Sequence, residues 1–270
     1  MDMDFRDDDL ERFEREGPAP LPETVWQGYV DSDGARIWCA EYGRGAPVIL
    51  LHGGMGNAGN WGYQVPVLAA AGRRVVVIDS RGHGRSTRDT RPFSYEQMAT
   101  DVFAVMDGLG IEHAPIVGWS DGAVTGLVMA KRAPERIAGV FFFACNVDET
   151  GTFPFEMTPE IERCINRHKA DYTALSSTPE AFDAFGADLG KMQQTQPNYT
   201  AADLAAIGVP VMVAQSEFEQ FIRPEHARYI AASIPGAGYV ELPGVSHFAP
   251  VQRPAEFSRV VLDWLERLRS

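Results

Sequence analysis

The stretch APIVGWSDGAVTGLVMAKR, residues 114–132, passes from a continuous apolar run into helical spacing through the pentapeptide Gly118-Trp119-Ser120-Asp121-Gly122. Such a run reads as a strand buried on both faces, and strands of that kind belong to parallel sheets covered by helices. A tight turn from strand to helix forces its middle residue into a strained backbone conformation, so the residues two positions away must be small. Gly118 and Gly122 meet that demand. The turn then presents the Ser120 hydroxyl at a helix N-terminus, where backbone N–H groups and the helix dipole favour developing negative charge. A Gly-rich turn with an N-cap serine would use the same letters, but the strand before and the helix after favour a nucleophile.

The same alternation extends in both directions. "PVILLHGG" (47–54), "RRVVVIDS" (73–80), "AGVFFFAC" (138–145), "VPVMVAQ" (209–215) and "GYVELPG" (238–244) read as strands, and 26–30 and 35–42 as two more joined by the turn "DSDG". Helical spacing predicts helices over 94–109, 121–132, 225–232 and 254–268. The result is an α/β fold with a mostly parallel, doubly wound sheet. Between Cys145 and Val209 no buried strand occurs, only helical patterns over 159–175, 179–193 and 201–207. That segment, 147–208, reads as a small helical cap inserted after the sixth strand, over the carboxyl ends where such sheets bind ligands. The core is then 25–146 and 209–270.

At 270 residues, 45% hydrophobic and 23% charged, the chain can bury one core without a disulfide or metal staple. The formal charge of −13 argues against nucleic acid and anionic membranes as partners. Eight acidic and three basic side chains fall within residues 1–16, so residues 1–24 read as a solvated acidic tail. No apolar run reaches transmembrane length, and an acidic start is the opposite of a signal peptide's basic one. Three scattered cysteines, Cys39, Cys145 and Cys164, suit a reducing cytoplasm and are expected to be small buried hydrophobes. No His/Cys/Asp cluster has metal spacing.

A serine nucleophile needs a base. His247, in "GVSHFAP" just past the last strand, lies on the correct edge of the sheet. His113, His168 and His226 sit in or beside helical patterns and read as surface residues. His52 and His83 follow strands in Gly-rich loops and are expected to shape those loops. The order nucleophile, acid, histidine is the one this architecture uses. Yet from Leu204 through Leu262 there is no aspartate at all. Either a glutamate of "QSEFEQFI" (215–222) serves, or the acid lies elsewhere, or the site is inactive.

Over about residues 25–268 the chain resembles the α/β-hydrolase family. The resemblance rests on "HGG" at 52–54, "DSRGHGRS" at 79–86, the elbow "GWSDG" and "LPGVSHF" around His247. The Trp and Asp flanking the serine look most like bacterial esterases of the valacyclovir-hydrolase type. That resemblance implies Ser120 as nucleophile, His247 as base, and an oxyanion hole from the N–H groups of Gly54 and Asp121. The family's acid follows the strand matching "VPVMVAQ" and precedes a short apolar pair and a proline. Glu219 fits, with Phe221, Ile222 and Pro224 downstream. Glu217 would need a tighter loop, and Asp148 is a third candidate because some relatives draw the acid from that strand end. The resemblance also suggests that the Asp121 carboxylate binds a substrate ammonium group, beside its plainer role of favouring the helix dipole.

Gly54-Met55-Gly56-Asn57-Ala58-Gly59 matches the dinucleotide fingerprint, and Asp79 ends the next strand. That motif needs a helix starting within the glycines, whereas "NWGYQVPVL" follows, with Gly62 and Pro66 where the helix should be. Trp61, Phe153, Phe155, Met157, Tyr172 and Met192 could line a pocket, though such positions are more often packing. The expectation is a serine carboxylesterase acting on a small-molecule ester or lactone, with no cofactor. A carbon–carbon bond hydrolase, an amidase or a perhydrolase would use the same parts, and a ligand-binding protein on the hydrolase fold is the alternative from another class.

Overall fold

The structure, a computed structural model, describes residues 8–268. Eight strands form one sheet: β1 (Trp26–Ser32), β2 (Ala35–Tyr42), β3 (Ala46–Leu51), β4 (Arg73–Ile78), β5 (Ala114–Trp119), β6 (Ile137–Phe143), β7 (Val211–Phe218) and β8 (Gly238–Ser246). Their order is β1-β2-β4-β3-β5-β6-β7-β8. β1 and β2 pair antiparallel, as do β2 and β4, and every pairing from β4 through to β8 is parallel. The helices in chain order are α1 (Asp8–Glu16), α2 (Gln64–Ala70), α3 (Tyr95–Gly108), α4 (Asp121–Arg132), α5 (Pro159–Leu175), α6 (Phe182–Thr195), α7 (Ala201–Ala205), α8 (Pro224–Ser233), α9 (Ala249–Gln252) and α10 (Pro254–Arg267).

The apolar runs bury both faces of the sheet by simple alternation. Ile49, Leu51, Val76, Ile78, Ile116 and Phe142 belong to one core layer, packed with α3 and α4. Val48, Leu50, Val75, Val77, Phe141 and Phe143 point the other way, into a layer closed by Trp61, Phe257 and Trp264. α4 is buried from Asp121 through Ala130, so the helix that follows Ser120 is held on nearly every side.

Three helices, α5, α6 and α7, lie between β6 and β7. Their inward side chains reach the carboxyl end of the sheet. Phe185 packs edge-on against His83 at 4.7 Å between ring centroids, and Gln193 reaches Asp121.

Two expectations are corrected. The segment after Gly59 does form a helix, α2, with Pro66 at its third position. A proline fits there because first-turn N–H groups have no intrahelical partner. The acidic start is not a solvated tail over residues 8–16, while residues 1–7 lie outside the described residues. Leu10 and Phe13, one helical turn apart on α1, are buried against Ile161 and Cys164 of α5 and Ala249 and Val251 of α9. Ion pairs Arg163–Glu11 (3.3 Å) and Arg253–Asp9 border that contact. Spacing of only two apolar residues among many acids hid the helix, because their partner faces lie far along the chain.

The apolar part of α1 docking therefore rests on two side chains, Leu10 and Phe13. Removing the Phe13 ring costs about 3–5 kcal/mol at a buried site, more than a helix this short gains by itself. Phe13→Ala should release α1: trypsin is expected to cut at Arg12 or Arg15 far faster than in the unsubstituted protein, with the thermal midpoint of the sheet core little changed. Equal cleavage rates, read by mass spectrometry, would show that Phe13 does not hold the helix.

Candidate active site

Ser120 stands between β5 and α4 with φ 52° and ψ −120°. A non-glycine residue held there costs on the order of 1–3 kcal/mol and persists only where its surroundings over-determine it. The Ser120 N–H donates to the Phe143 carbonyl at 2.8 Å, and Ala123 N–H donates to Ser120 O at 2.7 Å. A Cβ on Gly118 would meet the Ala123 backbone, and one on Gly122 would meet the carbonyls of Leu51 and His52. The end of β3 thus touches the start of α4, which brings the next residues, His52 to Gly54, beside Ser120. A Cβ on Gly53 would lie 3.2 Å from that of Ser120. Asp121 opens α4, so its N–H is one of the helix's unpaired first-turn donors. Gly54 follows β3 outside the sheet ladder.

His52 fixes this loop. Its Nδ1 is 2.7 Å from Gly53 O, and its Nε2 accepts from the Ser80 N–H at 3.0 Å. Only the neutral ring with hydrogen on Nδ1 satisfies both contacts, and burial pushes its pKa down, in agreement. Asp79 accepts from Ala58 N (2.7 Å) and from Arg85 N (2.8 Å) and Nη1 (3.0 Å). The acid that completed the dinucleotide pattern is thus buried in loop bracing, and α2 begins beyond the glycines.

His247 follows β8. Its Nδ1 lies 2.8 Å from Oε1 of Glu219, which also accepts the Phe221 N–H at 3.0 Å. The His247 N–H donates to Gln220 Oε1 at 3.0 Å. Behind it, Ser246 is bound by Ser216, whose Oγ donates to Ser246 O (2.7 Å), and by Gln252, whose Oε1 accepts from Ser246 N (2.8 Å). Trp119, Phe221 and Phe248 surround the imidazole, with centroids at 6.1, 4.6 and 5.4 Å. Among the described residues Glu219 Oε2 is buried without a partner.

The other acid candidates are elsewhere. Glu217 is still in β7, and its Oε2 accepts the Gly244 N–H at 2.8 Å, across the register shift between β7 and β8. Asp148 accepts from Thr150 N at 2.9 Å as a turn cap and lines a separate surface hollow with His226 and Tyr229.

Asp121 is buried, and its carboxylate accepts from Tyr95 OH (2.8 Å) and Gln193 Nε2 (3.0 Å). Burial raises its pKa, and those two donors oppose the rise. A Cβ on Gly54 would sit 2.8 Å from Asp121 Oδ2. The carboxylate therefore adjoins Gly54 while tying α4 to α3 and α6. No local pattern marked Tyr95, Gln193 or Gln220, although Gln220 adjoins Glu219 in sequence.

Two histidines expected at the surface are buried. His168 lies on the inward face of α5, edge-on to Phe13 at 5.9 Å. His226 accepts the Val147 N–H at Nε2 (3.1 Å). The α5 pattern Ile161, Cys164, His168, Tyr172 has core spacing, a signal that was readable. His83 is buried as well and shapes its loop through Nδ1, 2.9 Å from Arg81 O. Cys39, Cys145 and Cys164 are buried and unbridged, with the Cys39 thiol pushed up to about 12 by burial. Trp61, Tyr172 and Met192 belong to the core, whereas Phe155 and Met157 are exposed. Among the described residues no group of three His, Cys, Asp or Glu could hold a metal, and no helix is long and apolar enough to cross a membrane.

Residues 46–160 match the profile of a family described as the alpha/beta hydrolase fold. The chain is 31% identical over 258 residues to a dihydrolipoyllysine-residue acetyltransferase component of an acetoin cleaving system from Cupriavidus necator, covering 86% of this chain and 67% of that one. It is 27% identical over 274 residues to a rhodomycin D methylesterase from Streptomyces sp. (strain C5), covering 82% and 92%. Among solved structures it is similar to Est816, an N-acyl homoserine lactone degrading enzyme, with a TM-score of 0.68, 26% identity, and coverage of 87% and 99%.

The buried imidazoles make stability depend on pH. Burial lowers the pKa of His83 and His168 to about 3, while the unfolded chain binds those protons near 6.5. Between these values the unfolded state holds more protons, so stability is full above about pH 6.5 and falls as the pH drops toward 3. The slope is up to about 1.4 kcal/mol per pH unit for each ring. Urea unfolding at several pH values in that range checks this, with His168→Gln expected to reduce the slope. A flat profile would mean that the rings take up protons in the folded state.

Proposed function

The chain belongs to the α/β-hydrolase family, and we propose that it is a serine hydrolase cleaving a small carboxylic ester or lactone through an acyl-enzyme. The observation that carries this reading is the Glu219–His247 contact at 2.8 Å, on the sheet edge where the strained Ser120 turn stands. Similarity to a methylesterase and to a lactone-degrading enzyme supports the same bond type. The helical segment between β6 and β7 is proposed to act as a cap over this edge.

In the proposed reaction Ser120 Oγ attacks the carbonyl carbon while His247 Nε2 takes its proton. Glu219 holds Nδ1–H toward itself, which keeps Nε2 free as a base and stabilises the imidazolium that forms. The N–H groups of Gly54 and Asp121 receive the oxyanion, with the dipole of α4 adding to the field. The tetrahedral adduct collapses, the carbon–oxygen bond breaks, and the leaving oxygen takes the proton from His247. Water, deprotonated by His247, then attacks the acyl-enzyme and releases the acid and Ser120. No cofactor enters the proposal.

Glutamate suits the acid position because Glu219 lies past the end of β7, one residue before Gln220 pins the His247 backbone. Asp121 is proposed to have a second role. Two of its lone-pair sites are taken by neutral donors, and the rest adjoin Gly54, where an ammonium group on an α-amino acyl chain would sit.

Ser120→Ala should lower hydrolysis of p-nitrophenyl acetate by about a thousandfold or more while the fold is kept. Residual activity within tenfold of the unsubstituted protein would end the assignment. Glu219→Gln should cost several orders of magnitude at neutral pH, whereas Glu219→Asp keeps charge and tautomer and should stay active. Glu217→Gln and Asp148→Asn should leave turnover within a few-fold. A profile in which Glu217→Gln is the damaging change would reassign the acid.

For Asp121, the comparison is between aminoacyl and plain acyl esters of one alcohol. Asp121→Asn should reduce any preference for the aminoacyl substrate. No such preference in the unsubstituted protein would leave the carboxylate with its ties to Tyr95 and Gln193 alone.

A further inference from the structure

The aromatic rings around His247 differ in burial. Trp119 and Phe248 are buried. Phe221, partly exposed, meets the imidazole edge-on at 4.6 Å and 74°. Phe221 in turn stacks on Phe155 at 6.4 Å with only 17° between the planes. Phe155 is 64% exposed, and Met157, two residues on, 55% exposed. Leaving a phenylalanine and a methionine this open forgoes the free energy of burying them, and clustered exposure of this kind marks a contact surface.

The segment that carries them is tied to the acid loop. Thr152 pairs with Ile222, Phe153 N–H donates to Phe221 O at 2.8 Å, and Arg223 Nε donates to Thr152 O at 2.9 Å. The Arg223 guanidinium also covers the Phe153 ring at 5.0 Å. Residues 221–223, which follow Glu219 and Gln220, therefore set where Phe155 stands.

The chemistry decides which part of a substrate meets these rings. His247 must deliver its proton to the leaving oxygen, so the alcohol carbons attached to that oxygen lie close to the imidazole and its partly exposed neighbour Phe221. The acyl carbon is held instead at Ser120, beside Gly54, where the wall is polar: Asp121, Tyr95 OH and Gln193. The two halves of an ester thus face opposite kinds of surface.

We propose that Phe221, Phe155 and Met157 form a leaving-group subsite, and that the substrate's alcohol is uncharged and apolar, of aromatic or branched-alkyl size. This rests on the ester-hydrolase reading above. Flat rings bind such a group with little loss of freedom, and the flexible methionine adapts to its outline. Glu156 lies between the two exposed side chains, and the whole protein carries −13, so an anionic alcohol is disfavoured.

The test separates alcohol from acyl recognition in the full chain. kcat/KM is measured for methyl acetate, benzyl acetate and methyl hexanoate, whose leaving alcohols differ little in acidity. Benzyl acetate is expected to exceed methyl acetate by more than tenfold. The double variant Phe155→Ala, Met157→Ala should cut that ratio about tenfold while the hexanoate-to-acetate ratio moves less than twofold. Both positions are exposed, so the variant is expected to fold, and Phe155→Trp should restore most of the benzyl preference. An unchanged benzyl-to-methyl ratio, or a change in the hexanoate ratio instead, overturns the subsite. So does a variant that loses binding to phosphatidylcholine vesicles but keeps its benzyl preference, since the side chains would then serve a lipid surface. If the unsubstituted protein turns over none of the three esters, the hydrolase reading itself fails, a result distinct from hydrolysis without alcohol selectivity.

Discussion

The backbone of Leu51 presses against Gly122 so closely that no side chain fits between them, and the candidate site is arranged around that approach. It forces the chain from β5 into α4 through a single residue at φ 52°. It also brings the end of β3 to the first turn of α4, so the two N–H groups proposed for the oxyanion belong to segments that follow neighbouring strands, β3 and β5. The strain at Ser120 is sustained by the burial of α4 and by the bond from Ser120 N–H to β6. A surface turn could not hold such a conformation, because nothing would stop it relaxing.

Around this turn most polar groups hold one another in place. His52 locks the Gly53 carbonyl, Asp79 locks the following loop, and Ser216, Gln220 and Gln252 position the backbone around His247. Each bond is modest by itself, but a buried donor or acceptor left unmade is expensive. The loops are therefore determined by a few buried hydrogen bonds, those of the Asp79 carboxylate among them, and not by exposed surface ion pairs. The burial of His52, His83 and His168 in the neutral form is the electrostatic counterpart of this arrangement. Their protonation would place cations where no solvent reaches them.

The acid at His247 illustrates how backbone geometry selects between similar residues. Glu217 and Glu219 are two positions apart, and in a continuing strand they would face the same way. The strand ends at Phe218, with a register shift against β8, and the two carboxylates separate. Glu217 turns to the Gly244 amide, and Glu219 turns inward to the imidazole. Aspartate at position 219 would be shorter by one methylene.

Much of this was legible in the sequence because the signals are local. Continuous apolar runs ending in glycine specify buried parallel strands, and the spacing of Gly118 and Gly122 around Ser120 specifies the elbow, since both follow from sterics within a few residues. The choice of Glu219 needed the family's spacing, because no local rule distinguishes it from Glu217. What the sequence alone did not determine depends on surfaces that meet only in the folded chain. α1 was hidden because Leu10 and Phe13 find their partners on α5 and α9, whereas the burial of His168 was readable from the core spacing of α5. The partners of Asp121 were equally out of reach: Tyr95 and Gln193 are 26 and 72 residues away in sequence. Burial is a property of two surfaces brought together, and one surface read by itself does not reveal the other.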